Sequence, residues 1–269
     1  MYGIKPSKRL GQNFLIDKNV VKKIIKAAEL HSKDIVLEIG PGIGALTKEI
    51  AKKTGKVIAV EKDQRMVEIL KKTLKDFKNI EIINQDILKF QITNYKLQIN
   101  LKSKIQNYKL IANLPFYITA PVIRRFLESK YPPKEMVLIV QKEVAQRICS
   151  KSPKMNILAI SVQFYAKPKI ISYISKKSFW PQPKVDSAII KIVPQKKHKD
   201  VDVDLFFKIV KAGFSHPRKQ LANNLTNGLK LNKQEVNDLL LKNNVKPSQR
   251  AETLAVQDWI NLFNSIRNS

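Results

Sequence analysis

Apolar and polar positions along the chain follow two rhythms that alternate. Short runs rich in Ile, Val and Leu, typical of buried strands, separate segments whose apolar residues recur three and four positions apart, as on one face of a helix. The predicted strands are Ile35–Ile39, Val57–Val60, Ile80–Ile83, Lys109–Ala112, Met136–Val140, Lys169–Ser175 and Ser187–Val193. The predicted helices are 18–30, 45–53, 63–76, 119–129, 143–150 and 157–165. This alternation predicts an α/β fold with a mostly parallel sheet.

The pattern changes towards the end of the chain. The last two predicted strands are joined by Lys176–Asp186, too short for a crossover helix, so one antiparallel strand is expected. Beyond the charged linker Gln195–Asp200, only helical patterns remain, at 203–213, 218–227, 233–243 and 256–266. We therefore predict an α/β domain over 1–195 and a small helical domain over 196–269. The polar, aperiodic residues 91–107 are predicted to form a surface insertion.

A glycine turn follows the first predicted strand, at Gly40-Pro41-Gly42-Ile43-Gly44, and leads into a helix. Strand, glycine turn and helix hold nucleotide-like cofactors at the edge of a parallel sheet. The spacing G-x-G-x-G differs from the G-x-G-x-x-G of dinucleotide sites, and Glu38 lies two residues before the turn. A carboxylate there would repel a pyrophosphate and suit a cation such as the sulfonium of S-adenosylmethionine (SAM). Alone, the stretch leaves SAM, another nucleotide or a purely structural turn open.

Acidic residues at the ends of later strands narrow these alternatives. Glu61 ends the second strand, where α/β nucleotide sites place a carboxylate on the ribose hydroxyls, and Asp86 follows the third, within reach of an adenine amine. A single acid after a strand is usually a helix cap. Three acids at three successive strand ends favour a SAM site.

A fourth strand end carries Asn113-Leu114-Pro115-Phe116. The lone pair of an exocyclic amine on an aromatic base is delocalised, so the amine is a weak nucleophile. The amide oxygen of Asn113 and the carbonyl of Leu114 can accept its two protons and localise that lone pair. Phe116 can stack on a base turned out of its helix. The structural alternative is a turn with a buried Phe.

Composition indicates the class of partner. The 50 Lys and Arg residues against 22 Asp and Glu give a net charge of +28, which predicts binding to nucleic acid, although compositional drift explains part of the excess. One cysteine excludes an internal disulfide and argues for a reducing compartment, and three scattered histidines indicate no metal site. The sequence shows neither a membrane-spanning run nor a signal peptide, and we expect a cytoplasmic protein.

A basic amphipathic helix is predicted after Asp17, its expected N-cap. Its apolar positions follow helical spacing with lysines between them. The lysines form either a solvated face or an RNA contact, and the pattern leaves both open. The run from Val20 to Leu30 resembles an organelle presequence, but its place after the Gly11–Leu15 stretch assigns it to the fold.

Together these motifs resemble the ribosomal RNA adenine N6,N6-dimethyltransferases, and the resemblance covers nearly the whole chain. The matching stretches are Gly11–Leu15, Glu38–Thr47, Asn113–Phe116, Phe179–Ser187, Phe214–Leu225 and Arg250–Leu254. The resemblance implies a Rossmann-like SAM-dependent methyltransferase sheet and a helical rRNA-binding domain. Phe116 departs from the Tyr common in this motif, and His216-Pro217 from a more arginine-rich stretch.

The resemblance also implies roles for individual residues. SAM contacts are implied for Asn13, Leu15, Glu38, Gly40, Gly42, Glu61, Asp86 and Asn113. Catalytic roles are implied for Asn113, Leu114, Pro115, Phe116 and Phe179, with the two phenylalanines sandwiching the target adenine. RNA contacts are implied for Lys8, Arg9, Arg218, Lys219 and Arg250.

The motifs most resemble the branch that dimethylates two adjacent adenosines near the 3′ end of small-subunit rRNA. The expected partner is therefore that rRNA or the immature small subunit, bound by a monomer. The alternatives are a large-subunit rRNA methyltransferase of the macrolide-resistance type and a non-catalytic ribosome-assembly factor. An NAD-dependent oxidoreductase is disfavoured by the glycine spacing.

Overall fold

The computed structural model of the chain describes residues 5–90, 108–195, 198 and 200–268. The strands in these residues are β1 (Phe14–Leu15), β2 (Ile35–Ile39), β3 (Lys56–Glu61), β4 (Ile80–Asn84), β5 (Tyr108–Asn113), β6 (Glu135–Gln141), β7 (Ala166–Ile174), β8 (Phe179–Trp180) and β9 (Ser187–Pro194). The helices are α1 (Lys18–Ala27), α2 (Ala45–Ala51), α3 (Gln64–Thr73), α4 (Thr119–Glu128), α5 (Lys142–Ile148), α6 (Ile157–Gln163), α7 (Val203–Gly213), α8 (Leu221–Leu229), α9 (Lys233–Lys242) and α10 (Val256–Arg267).

Among the described residues, seven strands form one mixed sheet in the order β4-β3-β2-β5-β6-β9-β7. Strands β2 to β6 pair in parallel, whereas β9 is antiparallel to both of its neighbours. The chain builds outward from β2 in one direction through β3 and β4, and then in the other through β5 and β6. The point where this direction reverses, between β2 and β5, is where open α/β sheets bind ligands.

The predicted α/β class, with one antiparallel strand, is confirmed, and every helix and strand predicted within the described residues is present. Several of the predicted helix and strand boundaries were wrong. Strand β7 begins three residues earlier than predicted, and α8 begins at Leu221, so Arg218 and Lys219 precede the helix instead of lying in it. The insertion predicted at 91–107 lies outside the described residues.

The sequence pattern missed a second, two-stranded sheet. Its strands β1 and β8 are two residues long, and they pair Phe14 with Trp180 and Leu15 with Phe179. A two-residue strand has no measurable period, so it leaves no pattern to detect. This pairing joins two of the motifs that carry the family resemblance, although they lie far apart in the sequence.

The chain divides into two compact units. One comprises residues 1–145 and 166–194, and the other comprises 146–165 and 195–269. In the first, α1 and α2 pack on the sheet through a core that includes Ile24, Ile50 and Val137. The domain division predicted at residue 195 stays a prediction about separately folding domains.

The second unit has an aromatic core. The rings of Phe164 and Phe206 stack with centroids 4.4 Å apart, and Phe263 packs edge-on against Phe206. Gly213 is necessary here because a Cβ at that position would overlap the ring of the fully buried Trp259. Phe164 belongs to the 146–165 segment, which explains why that segment clusters with the C-terminal helices.

Candidate active site

An open cleft lies at the carboxyl ends of β2, β3, β4 and β5. Its empty space is about 1300 Å³, including the part open to solvent. Every residue predicted to contact the cofactor or to act in catalysis lines it. They are Asn13, Leu15, Glu38, Gly40, Gly42, Glu61, Asp86, Asn113, Leu114, Pro115, Phe116 and Phe179. Parallel strands place their carboxyl ends at one edge of a sheet, so residues distant in sequence meet there.

The glycine turn after β2 has left-handed backbone at Gly40, Gly42 and Gly44, with φ of 66°, 57° and 83°. At Gly42 a Cβ would lie 2.9 Å from Cδ1 of Phe14, so a side chain is excluded by space as well as by φ. At Gly40 the nearest atom to such a Cβ is the Asn113 carbonyl oxygen, at 3.9 Å. Gly40 therefore faces open space in the cleft, whereas Gly42 packs against the ring of Phe14.

The Glu61 carboxylate is held by two backbone N–H groups. Gly42 donates to Oε2 at 3.1 Å and Asp63 donates to Oε1 at 2.9 Å. Burial raises the pKa of Glu61, and the two backbone donors oppose that effect. A carboxylate has about four lone-pair sites, so each oxygen keeps acceptor capacity for a ligand hydroxyl. Glu61 thus ties the glycine turn to β3 and faces the cleft.

Glu38 differs from Glu61 because it is wholly buried. Only 1% of it is exposed, and its Oε2 has no hydrogen-bond partner in the described structure. Burial, assisted by the nearby charge of Glu61, raises the pKa of Glu38 to about 8. The carboxyl group is then mostly protonated at neutral pH. In the ligand-free protein, Glu38 is therefore not the negative charge repelling phosphate that its position in the sequence predicted.

Asp86 lies in the turn after β4 and accepts two hydrogen bonds. Its Oδ2 pairs with Lys62 Nζ at 2.8 Å, and its Oδ1 accepts the Leu88 N–H at 2.9 Å. The bond from Lys62 is the main reason why the pKa of Asp86 is lowered. Asp86 therefore also stabilises its own turn, as an acid after a strand commonly does. It still lines the cleft as a charged acceptor.

Asn113 ends β5 with its amide group fixed. Its Nδ2 donates to the backbone carbonyl of Asn13 at 2.9 Å. This bond uses the donor side of the amide and leaves Oδ1 as an acceptor. The chain then turns through Pro115 into a short 3-10 helix at Phe116–Ile118. Leu114 is buried, and Phe116 is half-buried.

The β1–β8 pair places aromatic residues beside this turn. Phe179, opposite Leu15, is buried and lines the cleft. The rings of Phe14 and Trp180 stack at 6.3 Å between centroids. Gly11, with φ of 60°, lies against Pro115 and Tyr117. The stretches around Gly11, Phe116 and Phe179 therefore meet at one wall of the cleft.

Gln12, Lys62 and Tyr117 also line the cleft, although none of them was predicted as a site residue. Gln12 Nε2 donates to Asp63 Oδ2 at 2.8 Å, which connects the N-terminal motif to the start of α3. Asp63 is also the N-cap of α3 and an ion-pair partner of Arg65 at 2.6 Å. In the sequence, only their positions next to Asn13, Glu61 and Phe116 indicated that Gln12, Lys62 and Tyr117 belong to the site.

The residues predicted to contact RNA are all exposed. Lys8 and Arg9 belong to the first unit, in the turn before Gly11. Arg218, Lys219 and Arg250 belong to the second, where the Leu221 N–H donates to the Gln249 carbonyl at 2.7 Å. This bond brings the segments containing Arg218 and Arg250 together.

None of the helices in the described residues has the length and apolar character of a membrane span. In the same part of the chain, no group of three or more His, Cys, Asp or Glu side chains is arranged to hold a metal ion.

Comparison with known proteins gives consistent matches. The model of the family described as ribosomal RNA adenine dimethylase matches residues 3–268. A protein of Dehalococcoides mccartyi named ribosomal RNA small subunit methyltransferase A is 44% identical over 261 residues, covering 96% of this chain and 87% of that protein. One of the same name from Geobacillus kaustophilus is 39% identical over 273 residues, covering 98% and 92%.

Solved structures agree with these matches. A dimethyladenosine transferase from Plasmodium falciparum has a TM-score of 0.81 at 27% identity, covering 95% of this chain and 98% of that chain. The 23S rRNA methyltransferase ErmE has a TM-score of 0.75 at 23% identity, covering 95% and 100%, and that likeness shows the shared fold alone.

Proposed function

The chain belongs to the ribosomal RNA adenine dimethylase family, and on that premise we propose which substrate it modifies and how. It transfers methyl groups from SAM to N6 of two adjacent adenosines in the 3′-terminal hairpin of small-subunit (16S) rRNA, and the products are N6,N6-dimethyladenosines. The observation that carries this proposal is the fixed amide of Asn113, which keeps an acceptor oxygen at the cleft where all the predicted cofactor residues also lie.

The cleft fits SAM by the chemistry of its groups. Glu61 and Asp86 keep acceptor sites for ribose hydroxyls and an adenine amine, and Gly40 leaves room beside the backbone. The partnerless Oε2 of Glu38 is a buried acceptor that a cationic ligand would satisfy. Asn13, Leu15 and Gly42 complete the predicted cofactor contacts. Bound SAM supplies an electrophilic methyl group on a positively charged sulfur.

The target amine is activated by acceptors of this chain. Asn113 Oδ1 accepts one N6 hydrogen, and the Leu114 carbonyl accepts the other, so the nitrogen lone pair is localised for attack. Phe116 and Phe179 stack on the adenine, which must leave its helix to enter the cleft. Pro115 shapes the turn that presents them. No strong base is required. As the N–C bond forms, the bond from the methyl carbon to sulfur would break to leave a neutral thioether, and the proton lost by the positively charged nitrogen would pass to water in the open cleft.

The proposal also covers the binding partner, the oligomeric state and the roles of the two parts of the chain. The substrate is rRNA within the immature small subunit in the cytoplasm, bound electrostatically by a protein with a net charge of +28. The protein acts as a monomer, since one chain supplies every predicted cofactor and catalytic residue. Residues 1–195 carry catalysis, and the helical residues 196–269 bind rRNA through Arg218, Lys219 and Arg250.

Mapping of transferred methyl groups tests this proposal. The protein is incubated with labelled SAM and either large-subunit rRNA or small-subunit rRNA, the latter both free and within immature small subunits, and the labelled nucleotides are identified by mass spectrometry. We expect two adjacent dimethyladenosines near the 3′ end of small-subunit rRNA. A single modified adenosine in large-subunit rRNA would support the macrolide-resistance type instead. Absence of label from both, with SAM bound, would indicate a non-catalytic assembly factor.

A further inference from the structure

Helix α1 presents a face of lysines that the proposed function does not yet use. Lys18, Lys22, Lys23 and Lys26 are all exposed, and we call them the α1 lysine face. At 100° per residue they occupy an arc of about 140° on the helix. No acidic residue interrupts this face within the helix.

The opposite face of α1 is buried in the core. Val20, Val21 and Ile24 are 5%, 6% and 1% exposed and pack with α2 and the sheet. A helix that binds a membrane surface must insert its apolar side into the lipid. Since that side of α1 is occupied, only the charged side is available to a partner. A polyanion in solution fits this arrangement better than a lipid surface.

The two acids that flank the helix in sequence, Asp17 and Glu29, both have other partners. Asp17 caps α1 and accepts the Ser178 hydroxyl at 2.9 Å, and Glu29 pairs with Lys191 at 2.9 Å. Within the described ranges, no ion pair involves any lysine of the α1 lysine face. Asp17 attracts Lys23 electrostatically without forming an ion pair with it, so the four lysines are left without a salt bridge in the part of the chain that the structure describes.

The position of α1 connects this face to the cleft. The Ile16 N–H donates to the Ser178 carbonyl at 3.0 Å, and Leu15 lies opposite Phe179 in the β1–β8 pair that forms a wall of the cleft. Lys18, the first residue of α1, comes three residues after Leu15 in the chain. Successive lysines at 18, 22 and 26 rise by about 6 Å along the axis, a step comparable with the spacing of phosphates along a nucleic-acid strand.

We propose that the α1 lysine face binds the phosphate backbone of the rRNA strand adjoining the target adenosines, an inference that rests on the proposed function and deepens it. Lysine acts on phosphate as a point charge, so these contacts position the strand without reading its bases. The α1 lysine face thereby orients the hairpin so that an adenine flipped out of its helix reaches Phe116 and Phe179.

The test measures binding of a synthetic RNA hairpin with the sequence of the small-subunit 3′ end, by fluorescence anisotropy between about 50 and 200 mM salt. In the triple variant K18Q/K22Q/K26Q, the slope of log affinity against log salt should become less negative by about 2 to 3, roughly one unit per lost phosphate contact. The variant K18R/K22R/K26R should keep the wild-type slope.

The matched control removes the same charge from another helix. Lys71, Lys72 and Lys75 are exposed on or just after α3. The variant K71Q/K72Q/K75Q should leave the slope close to wild type, because these lysines make no proposed phosphate contact. An equal change in both triple variants would overturn the proposal, since net charge alone would then explain the effect. An unchanged slope in the α1 variant would also overturn it.

Three further measurements separate the possible failures. SAM affinity and the unfolding temperature should match wild type in every variant, which shows that folding is intact. Methylation of rRNA in immature small subunits by the wild-type protein tests the proposed function independently of the salt slopes. Binding of the wild-type protein to phosphatidylserine vesicles as tightly as to the hairpin would overturn the choice of RNA as partner.

Discussion

Asn113 donates its side-chain N–H to the backbone carbonyl of Asn13, a residue one hundred positions earlier in the chain. The bond ties the end of β5 to the N-terminal motif and determines which face of the amide is free. We expect Asn113→Ala to keep SAM binding, because the other predicted cofactor contacts remain, and to lose at least about 100-fold in methyl transfer, as when one transition-state contact is removed.

A variant at Asn13 is the matched control for Asn113→Ala. Because Asn13 accepts through its main chain, Asn13→Ala keeps the acceptor for Asn113 and should change cofactor affinity more than turnover. Calorimetry of SAM binding and single-turnover methylation separate the two effects. Wild-type turnover in Asn113→Ala would contradict the proposed role.

Glu61→Ala should weaken SAM binding by about 10- to 100-fold, the cost of losing hydrogen bonds to a charged acceptor. The same change releases the N–H groups of Gly42 and Asp63 and loosens the glycine turn. Glu81→Ala is the control, because Glu81 is an acid on the neighbouring strand that pairs with Lys56 away from the cleft. Equal SAM affinities in the two variants would refute the assignment of Glu61.

Gly42→Ala should destabilise the ligand-free protein more than Gly40→Ala. Both residues have left-handed φ, which costs a residue with a Cβ about 1–2 kcal/mol. Gly42 has an additional cost because its new Cβ would meet Phe14, and overpacking typically adds about 1–3 kcal/mol. Urea unfolding measures the difference, and equal values would show that Phe14 moves aside freely.

Glu38 should make stability depend on pH. Its folded pKa of about 8 lies above the unfolded value of 4.5, so the folded state holds a proton that the unfolded state releases. Its contribution is fully present below pH 4.5 and is lost as pH rises through about 8, by at most about 1.4 kcal/mol per pH unit.

The variant Glu38→Gln isolates this contribution, because other titrating groups cancel in the difference from wild type. The variant and the wild-type protein should have similar free energies of unfolding near pH 4.5. As the pH rises from 4.5 towards 8, the variant should become progressively more stable relative to wild type, by up to about 1.4 kcal/mol for each pH unit. A difference that does not change with pH would show that Glu38 is ionised in the folded protein.

SAM binding at neutral pH should release a proton from Glu38. A cation close to the carboxyl group favours its charged form, so the pKa falls when the sulfonium arrives. Calorimetry in buffers of different ionisation enthalpy should give release of up to about one proton for SAM and less for S-adenosylhomocysteine, whose sulfur is uncharged. The same release in Glu38→Gln would assign the proton to another group.

Much of the site was predictable because α/β sheets gather strand ends at one edge. Glu61, Asp86 and Asn113 each end or follow a strand, and their strands could be read from runs of Ile and Val. Because these strands run parallel in one sheet, with β2 between β3 and β5, the three residues lie at the same edge of the sheet. The predicted helix boundaries were less accurate. Arg218 and Lys219 precede α8 rather than lie in it, since helical spacing alone does not mark where a helix begins.

The sequence by itself determined the α/β class, the strands and helices, the family and the residues that line the cleft, because these depend on local periodicity and on motifs of fixed spacing. The tertiary structure alone decided the order of the strands, the pairing of β1 with β8, the free face of the Asn113 amide and the burial that raises the pKa of Glu38. These properties depend on contacts between residues far apart in the chain and on burial. Hydrogen-bond geometry and desolvation exist only once the chain has folded.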